Sequence, residues 1–179
     1  MTACEYLEQT RDRIQGLCCS LTATQANWRS APLTWSVSEI LEHLMISERL
    51  TLLGIRRAMQ GEPAASDELA KAQGMHDVIV GRVPMRTSRI VAPQSIVPGG
   101  SIGEWPAALE AFLAARVKTL AVDAKATEDF DRRLFPHPVL GNLTLRQWLL
   151  FSAAHSERHA RQIEELLEQL VALQPVEQG

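Results

Sequence analysis

Three histidines in this chain are spaced so that they could hold a metal ion. His155 and His159 stand four positions apart in the run SAAHSERHARQIEEL, and His43 stands in EILEHLMISERL. Side chains four apart on a helix lie one above the other, so two such imidazoles can chelate one cation, and a third from a facing helix completes a facial set. Three neutral nitrogens leave coordination positions open and the charge of the ion uncompensated. That favours an anionic ligand and can bring the pKa of a bound water to about 7, as in a reactive or substrate-binding centre rather than a closed structural one. The competing reading is that core-facing histidines merely pack and hydrogen-bond, and the spacing alone leaves both open.

The elements that must position these rings are helical. Trp148, Ser152, His155, His159 and Leu166 fall on one line at three- and four-residue steps, and Ile40, His43, Ser47, Leu50 and Gly54 trace a similar line, so the three rings are expected to face the core. A first helix is expected over residues 3–21 on Leu7, Ile14, Leu17, Cys18 and Leu21, giving way to a polar segment, 22–30. Ser36 with Glu39 is a capping box that opens a second helix, ended near Gln60 by Gly61 and Pro63. Ser101 with Glu104 reads as the box of a third, with Pro106 in its first turns, a stripe of Leu109, Phe112, Leu113, Val117 and Leu120, and an end near Ala124. Thr144 with Gln147 opens the fourth, which runs through Leu170.

Between the second and third helices, residues 62–100 contain Pro84, Pro93, Pro98 and Gly99-Gly100, which forbid one continuous helix. The expectation is an irregular crossover, with 77–83 either extended or a short helical turn, able to span a bundle end or cover a site. The short links, 31–35 and about 125–143, predict antiparallel neighbours on either side of them. The fold class is therefore all-α, a four-helix bundle in a single domain over 1–179 with a long irregular crossover between helices 2 and 3.

Composition narrows the function. A chain of 179 residues, 46% hydrophobic and 22% charged, is a globular protein with enough length for one proper core. No apolar stretch reaches the roughly 20 residues of a membrane span, and the start, MTACEYLEQTRDR, lacks the pattern of a secretory signal, so no membrane association and a cytoplasmic location are expected. A formal net charge of -3 lacks the basic excess that binding nucleic acid demands. Cys4, Cys18 and Cys19, odd in number and with two adjacent, suit reduced thiols better than disulfides.

Two stretches carry a family resemblance. TWSVSEILEHL with Glu48, and HPVLGNLTLRQWLLFSAAHSERHARQIEEL, resemble the hallmark segments of the DinB-like superfamily: a Trp-Ser start into a helix with His-Leu and a nearby glutamate, then a last helix with His-x-x-x-His and a glutamine three residues on. The matching positions are Trp35, Ser36, His43, Leu44, Glu48, His155, His159 and Gln162. The resemblance implies a bundle of up-down-down-up type, a metal triad of His43, His155 and His159, and frequent homodimers. It implies little about substrate, since members include transferases and isomerases that use bacillithiol, mycothiol or glutathione. The stretch His137-Pro138-x-x-Gly141 resembles one branch of the superfamily that lacks an assigned role.

The resulting expectation is a metal-binding protein in which one divalent ion, zinc or nickel, activates a water or a low-molecular-weight thiol, as a hydrolase or thiol S-transferase acting on a small molecule. The alternatives are a non-catalytic metal- or ligand-binding stress-response protein and a plain helical dimer whose histidines pack. No Ser-His-Asp set, paired carboxylates or phosphate loop supports another strategy. Glu48, about 140° round the helix from His43, is expected outside the ligand set, in a supporting or surface place. Glu39 reads as a capping partner, Gln162 as a partner of bound water or a solvated side chain, and His137 as structural or surface rather than a fourth ligand. Nothing marks His76 as functional. Cys18 and Cys19 read as small buried hydrophobes, with a thiolate ligand as the sharper alternative. Trp35, Trp105 and Trp148 are expected to pack, Trp28 to face a partner subunit, and Arg11-Asp12-Arg13 and Glu157-Arg158 to form solvated faces.

Overall fold

The computed structural model describes residues 1–87, 90–102 and 105–173. Four long helices form the bundle: α1 (Ala3–Cys18), α3 (Val37–Ala58), α6 (Ala107–Asp123) and α8 (Leu145–Ala172). Three of them begin where side-chain chemistry dictates. Thr2 with Glu5, Ser36 with Glu39, and Thr144 with Gln147 each close a reciprocal capping box that satisfies amide donors left free at the helix start. The sequence signals at Ser36 and Thr144 are thus met, and Glu39 also pairs with Arg29. The third expected box is not formed as read: Glu104 lies outside the described residues, and α6 starts only after Pro106, which occupies its N-cap without a side-chain bond. Ser101 instead turns its amide and hydroxyl toward Glu42.

The connections hold more structure than periodicity reveals. A short helix, α2 (Ala23–Asn27), sits in the segment expected to be merely polar, opened by a Thr22–Gln25 capping box. The crossover contains α4 (Ser66–Ala72), α5 (Met75–Arg82) and a 3-10 turn at Gln94–Ile96, so the helical alternative for 77–83 is the one adopted. Before α8 come α7 (Asp129–Arg132) and an antiparallel hairpin of β1 (Leu134–His137) and β2 (Gly141–Thr144), in register Leu134 to Thr144 and His137 to Gly141. Gly141, at φ 75, supplies the left-handed residue that closes the loop.

Packing corrects one expectation. The helices that pack are α1 with α8 and α6, and α3 with α6 and α8. Helices consecutive across the two short links, α1 with α3 and α6 with α8, therefore sit mainly across the bundle rather than side by side. The inserted α2, and α7 with the hairpin, give each link the reach to cross a bundle end.

The core at the site end gathers Ile14, Ile40, Leu44, Phe112 and Ile163, all essentially free of solvent; each contributes about 1.5–3 kcal/mol of burial. A second cluster places Leu7, Ile79 and Leu143 against Trp148 and brings α5 onto α8. Gly54 of α3 accommodates the Phe135 ring, which any Cβ there would overlap, and that ring stacks on Trp148 at 4.7 Å. No helix among the described residues is long and apolar enough to cross a membrane.

At the middle of the bundle lies Arg116, with 0% of its surface exposed. It reaches the other three long helices: Nε donates to Glu48 Oε1 of α3 at 2.6 Å, with Nη2 paired to the same oxygen at 2.5 Å, Nη1 donates to Leu7 O and Thr10 Oγ1 of α1 at 2.7 and 2.9 Å, and Nη2 to Ser156 Oγ of α8 at 2.6 Å. Thr119 of α6 donates to the other Glu48 oxygen. Buried charge is tolerated only when paired and saturated with hydrogen bonds, as here.

The stripe expected on α6 is accordingly shifted, since Val117 is 59% exposed while its neighbour Arg116 is buried. Leu50, on the expected inward line of α3, is likewise 39% exposed, and Glu48 and Thr51 are buried instead. Glu157 and Arg158 are not a solvated pair. Both are buried; Glu157 pairs with Arg13 and Arg161, and Arg158 donates to the Met85 carbonyl. Cys18 is buried, with its thiol pushed up to about 12 by desolvation, whereas Cys19 is exposed, contrary to expectation. Trp28 packs against the core cluster, partly buried.

Candidate metal centre

The site is built where the first half of α3 faces the middle of α8. The two lines read from the sequence meet there, bringing His43, His155 and His159 into one group whose ligand atoms all lie within 4.8 Å of one another. His43 Nε2 is 3.2 Å from His155 Nε2, and His159 Nε2 is 3.1 Å from the same atom. Nitrogens bound tetrahedrally to one ion at 2.0–2.1 Å would stand about 3.3 Å apart.

Two of the rings are locked in one tautomer. The Nδ1–H of His43 donates to the carbonyl of Ile96, in the 3-10 turn of the crossover, at 2.7 Å. The Nδ1–H of His159 donates to Gln162 Oε1 at 2.9 Å. Each neutral ring therefore presents its Nε2 lone pair inward. His155 Nε2 carries at most one proton and can donate to only one of these neighbours, so one contact must bring two lone pairs together at hydrogen-bond distance. A cation shared by all three nitrogens removes that conflict, and the donor set accordingly fits a divalent ion.

Electrostatics act in the same sense. Burial holds all three imidazoles below the usual histidine range, offset in part for His43 by its bond to Ile96 and reinforced for His155 and His159 by the neighbouring rings. The rings are thus neutral at pH 7, the form that can ligate. Trp35 covers the group, 4.8 Å from the His43 ring and stacked at 6.4 Å on His159, and Phe151 stacks on His155 at 5.5 Å.

The other singled-out residues take their places around this group. Glu48 lies outside the three-histidine group and is not on the surface: it faces Arg116, and a cavity of about 10 Å³, the size of one water, lies between it and His155, with Ser47, Thr51 and Ser152 in its wall. Gln162 acts on the site through the His159 ring. His137 stays apart from the three, its Nδ1 accepting from the amides of Val139 and Leu140 at 3.1 and 3.0 Å and its pKa pushed down to about 4 by burial, which is the structural reading. His76 is exposed beside Asp77. Cys18 lies in the core cluster and outside the ligand group.

Sequence reasoning missed Glu42, Ile96 and Arg116. Ile96 contributes only a backbone carbonyl, which no side-chain pattern can announce. A capping-independent glutamate beside His43, and an arginine standing seven and four residues after Leu109 and Phe112 on the apolar stripe of α6, were the available signals for the other two.

Among proteins that this chain resembles, the uncharacterized protein YuaE of Bacillus subtilis is 26% identical over 151 residues, 84% of this chain and 88% of YuaE. The solved structure of YfiT from Bacillus subtilis, a probable metal-dependent hydrolase with an unusual four-helix bundle topology, superposes with a TM-score of 0.61 at 18% identity, covering 94% of this chain and 86% of YfiT. The model of the DinB superfamily matches residues 6–163, a span that takes in the bundle, the crossover and all three histidines, and the chain belongs to that superfamily.

Proposed function

We propose that His43, His155 and His159 bind one divalent cation, zinc or nickel given the preference of imidazole for both, and that the protein is a metal-dependent enzyme. Its substrate would be a small electrophile and its nucleophile a water or a low-molecular-weight thiol. The observation that carries this reading is the pair of Nε2 contacts at 3.1 and 3.2 Å between rings whose Nδ1 protons are already committed elsewhere. The fold shared with YfiT, a probable metal-dependent hydrolase, supports the hydrolytic branch.

A divalent ion in such a site supplies Lewis acidity and lowers the pKa of a water or thiol that reaches its open positions. The chain does the remainder. Ile96 and Gln162 hold the lone pairs of His43 and His159 on target, Trp35 and Phe151 shield the rings, and the depressed basicity of the imidazoles keeps protons from competing for the same nitrogens. A cytoplasmic location agrees with three free cysteines. A homodimer agrees with the exposure of Leu50 and Leu53 on α3 and Val117 on the adjacent α6, and light scattering of the purified protein tests it.

The decisive experiment is elemental analysis of protein purified without an affinity tag. About one metal per chain is expected, lost in His159→Ala and kept in His76→Ala, whose ring lies apart on the surface. No metal in the wild type, with none recovered on adding zinc or nickel, defeats the proposal. With metal present, assays against model esters and against electrophiles with glutathione, bacillithiol or mycothiol divide hydrolase from transferase; silence in all of them with intact metal leaves the binding part standing and removes the enzyme.

A further inference from the structure

The crossover is joined to α3 at two adjacent residues, and only one of them belongs to the ion-binding group. Glu42, 3% exposed, points its carboxylate at the backbone where the crossover approaches α6. Oε1 accepts from the amides of Gly99 and Ser101 at 3.3 and 2.9 Å and from Ser101 Oγ at 2.8 Å, and Oε2 accepts from the Gly100 amide at 2.9 Å. Gly100 is at φ 70, a left-handed conformation that helps turn consecutive amides toward one acceptor.

Three to five residues before these amides stands Ile96, whose carbonyl fixes the His43 ring. Between them lie Val97, in extended conformation, and Pro98, whose ring limits the backbone, so a strap held at 99–101 has little freedom left at 96. Glu42 and His43 are consecutive on α3 and therefore point about 100° apart, one gripping the strap and the other using it.

We propose that Glu42 is a positioning residue for the metal centre: by gathering the amides of residues 99–101 it sets the crossover so that the Ile96 carbonyl holds His43 with Nε2 toward His155 and His159. It touches neither ion nor substrate and acts through the strap. The proposal rests on the metal reading for its consequence, but the link between Glu42 and the His43 ring exists in the metal-free protein and can be tested there.

The experiment compares Glu42→Ala, Glu42→Gln and a control, Glu39→Ala, which removes the α3 capping box and the Arg29 pair without touching the strap. In metal-free protein labelled with nitrogen-15 in histidine, wild type is expected to show His43 as the Nδ1–H tautomer with a slowly exchanging Nδ1 proton. Glu42→Ala should lose that protection and, by competition with a chromogenic chelator, bind zinc about tenfold or more weakly, the usual effect of losing a group that orients a ligand. Glu42→Gln keeps an acceptor for the three bonds at Oε1 but sets an amide donor against Gly100, and should fall between. Glu39→Ala should lower the thermal midpoint while leaving the tautomer and the zinc affinity as in wild type.

An unchanged His43 proton in Glu42→Ala, or zinc affinities in Glu39→Ala and Glu42→Ala that fall equally, would overturn the proposal. Should Glu42→Ala not fold, Glu42→Gln decides: a His43 signal and zinc affinity identical to wild type refute it. A protein that binds no zinc at all but shows the ring freed in Glu42→Ala sinks the metal reading and leaves the strap assignment in place.

Discussion

Arg116 and Glu48 make a prediction with an asymmetry in it. Replacing Glu48 by Leu leaves a guanidinium that cannot shed its proton, fully buried, with the Leu7 carbonyl, two hydroxyls and the face of Phe112 as its remaining partners among the described residues. Breaking a buried pair from one side in this way costs about 3–5 kcal/mol. In a chain of 179 residues that lowers the thermal midpoint by about 6–20 °C, at roughly 2–4 °C per kcal/mol. Replacing Arg116 by Met instead leaves a carboxyl, which can escape by taking a proton. Measured from the ordinary glutamate value of about 4.3, that proton costs about 3.7 kcal/mol at pH 7 and about 1 kcal/mol at pH 5.

The sign follows from proton counting: in Arg116→Met the folded state binds a proton that the unfolded chain lacks near neutrality, so stability rises as pH falls. The deficit of Arg116→Met relative to wild type should therefore shrink by about 2.7 kcal/mol between pH 7 and pH 5, the difference of those two costs, while that of Glu48→Leu shows no such recovery. The double variant should cost less than the two singles summed, because apolar replacement of both partners strands neither charge. Urea unfolding at both pH values measures all three. Single variants each within about 1 kcal/mol of wild type, or strict additivity, would refute the account of a charge held at the bundle centre.

Three further outcomes are expected. Gln162→Leu, which deprives His159 Nδ1 of its acceptor, should weaken zinc binding about tenfold by chelator competition with little change in thermal midpoint; unaltered affinity would show that the ring needs no such support. His137 is pushed down to about 4 when folded, so the unfolded chain binds the extra proton and the stability His137 supports is lost as pH falls from about 6.5 toward 4. In His137→Asn, which keeps an acceptor near the Val139 and Leu140 amides, urea midpoints should decline less steeply over that window, and parallel curves would contradict the assignment. Gly54→Ala forces the Phe135 ring off Trp148 and should cost about 1–3 kcal/mol, largely recovered in Gly54→Ala/Phe135→Leu; no loss in the single variant would mean the hairpin yields freely.

The parts legible in the sequence were those where one residue pattern has one physical reading. Thr144 with Gln147 and Ser36 with Glu39 are local devices, decided within a single turn, and the His43 and His155/His159 lines are set by helical geometry alone. The parts hidden were those decided by tertiary context. LFPH and GNLT are four residues each, too short to show alternation, and become strands because each is the other's partner. Val117 and Arg116 exchange the places that hydrophobicity assigns them, because Glu48 and Thr119 make a charged site of what would otherwise be core. The helical order round the bundle was hidden too, since link length alone cannot register the small elements folded within a link.

The three imidazoles also differ in how far along the chain they must travel to meet. His155 and His159 are close in every helical state of their segment, whereas His43 arrives from 112 residues away. An unfolded or half-assembled chain can therefore present only two of these three imidazoles together, and the third joins them when α3 has docked on α8. Any affinity gained from that third donor is gained by the assembled molecule alone and adds to its resistance to unfolding. Chelating agents should accordingly speed the loss of tertiary structure in the loaded protein, and scarcity of the ion would be felt first as a shorter-lived fold.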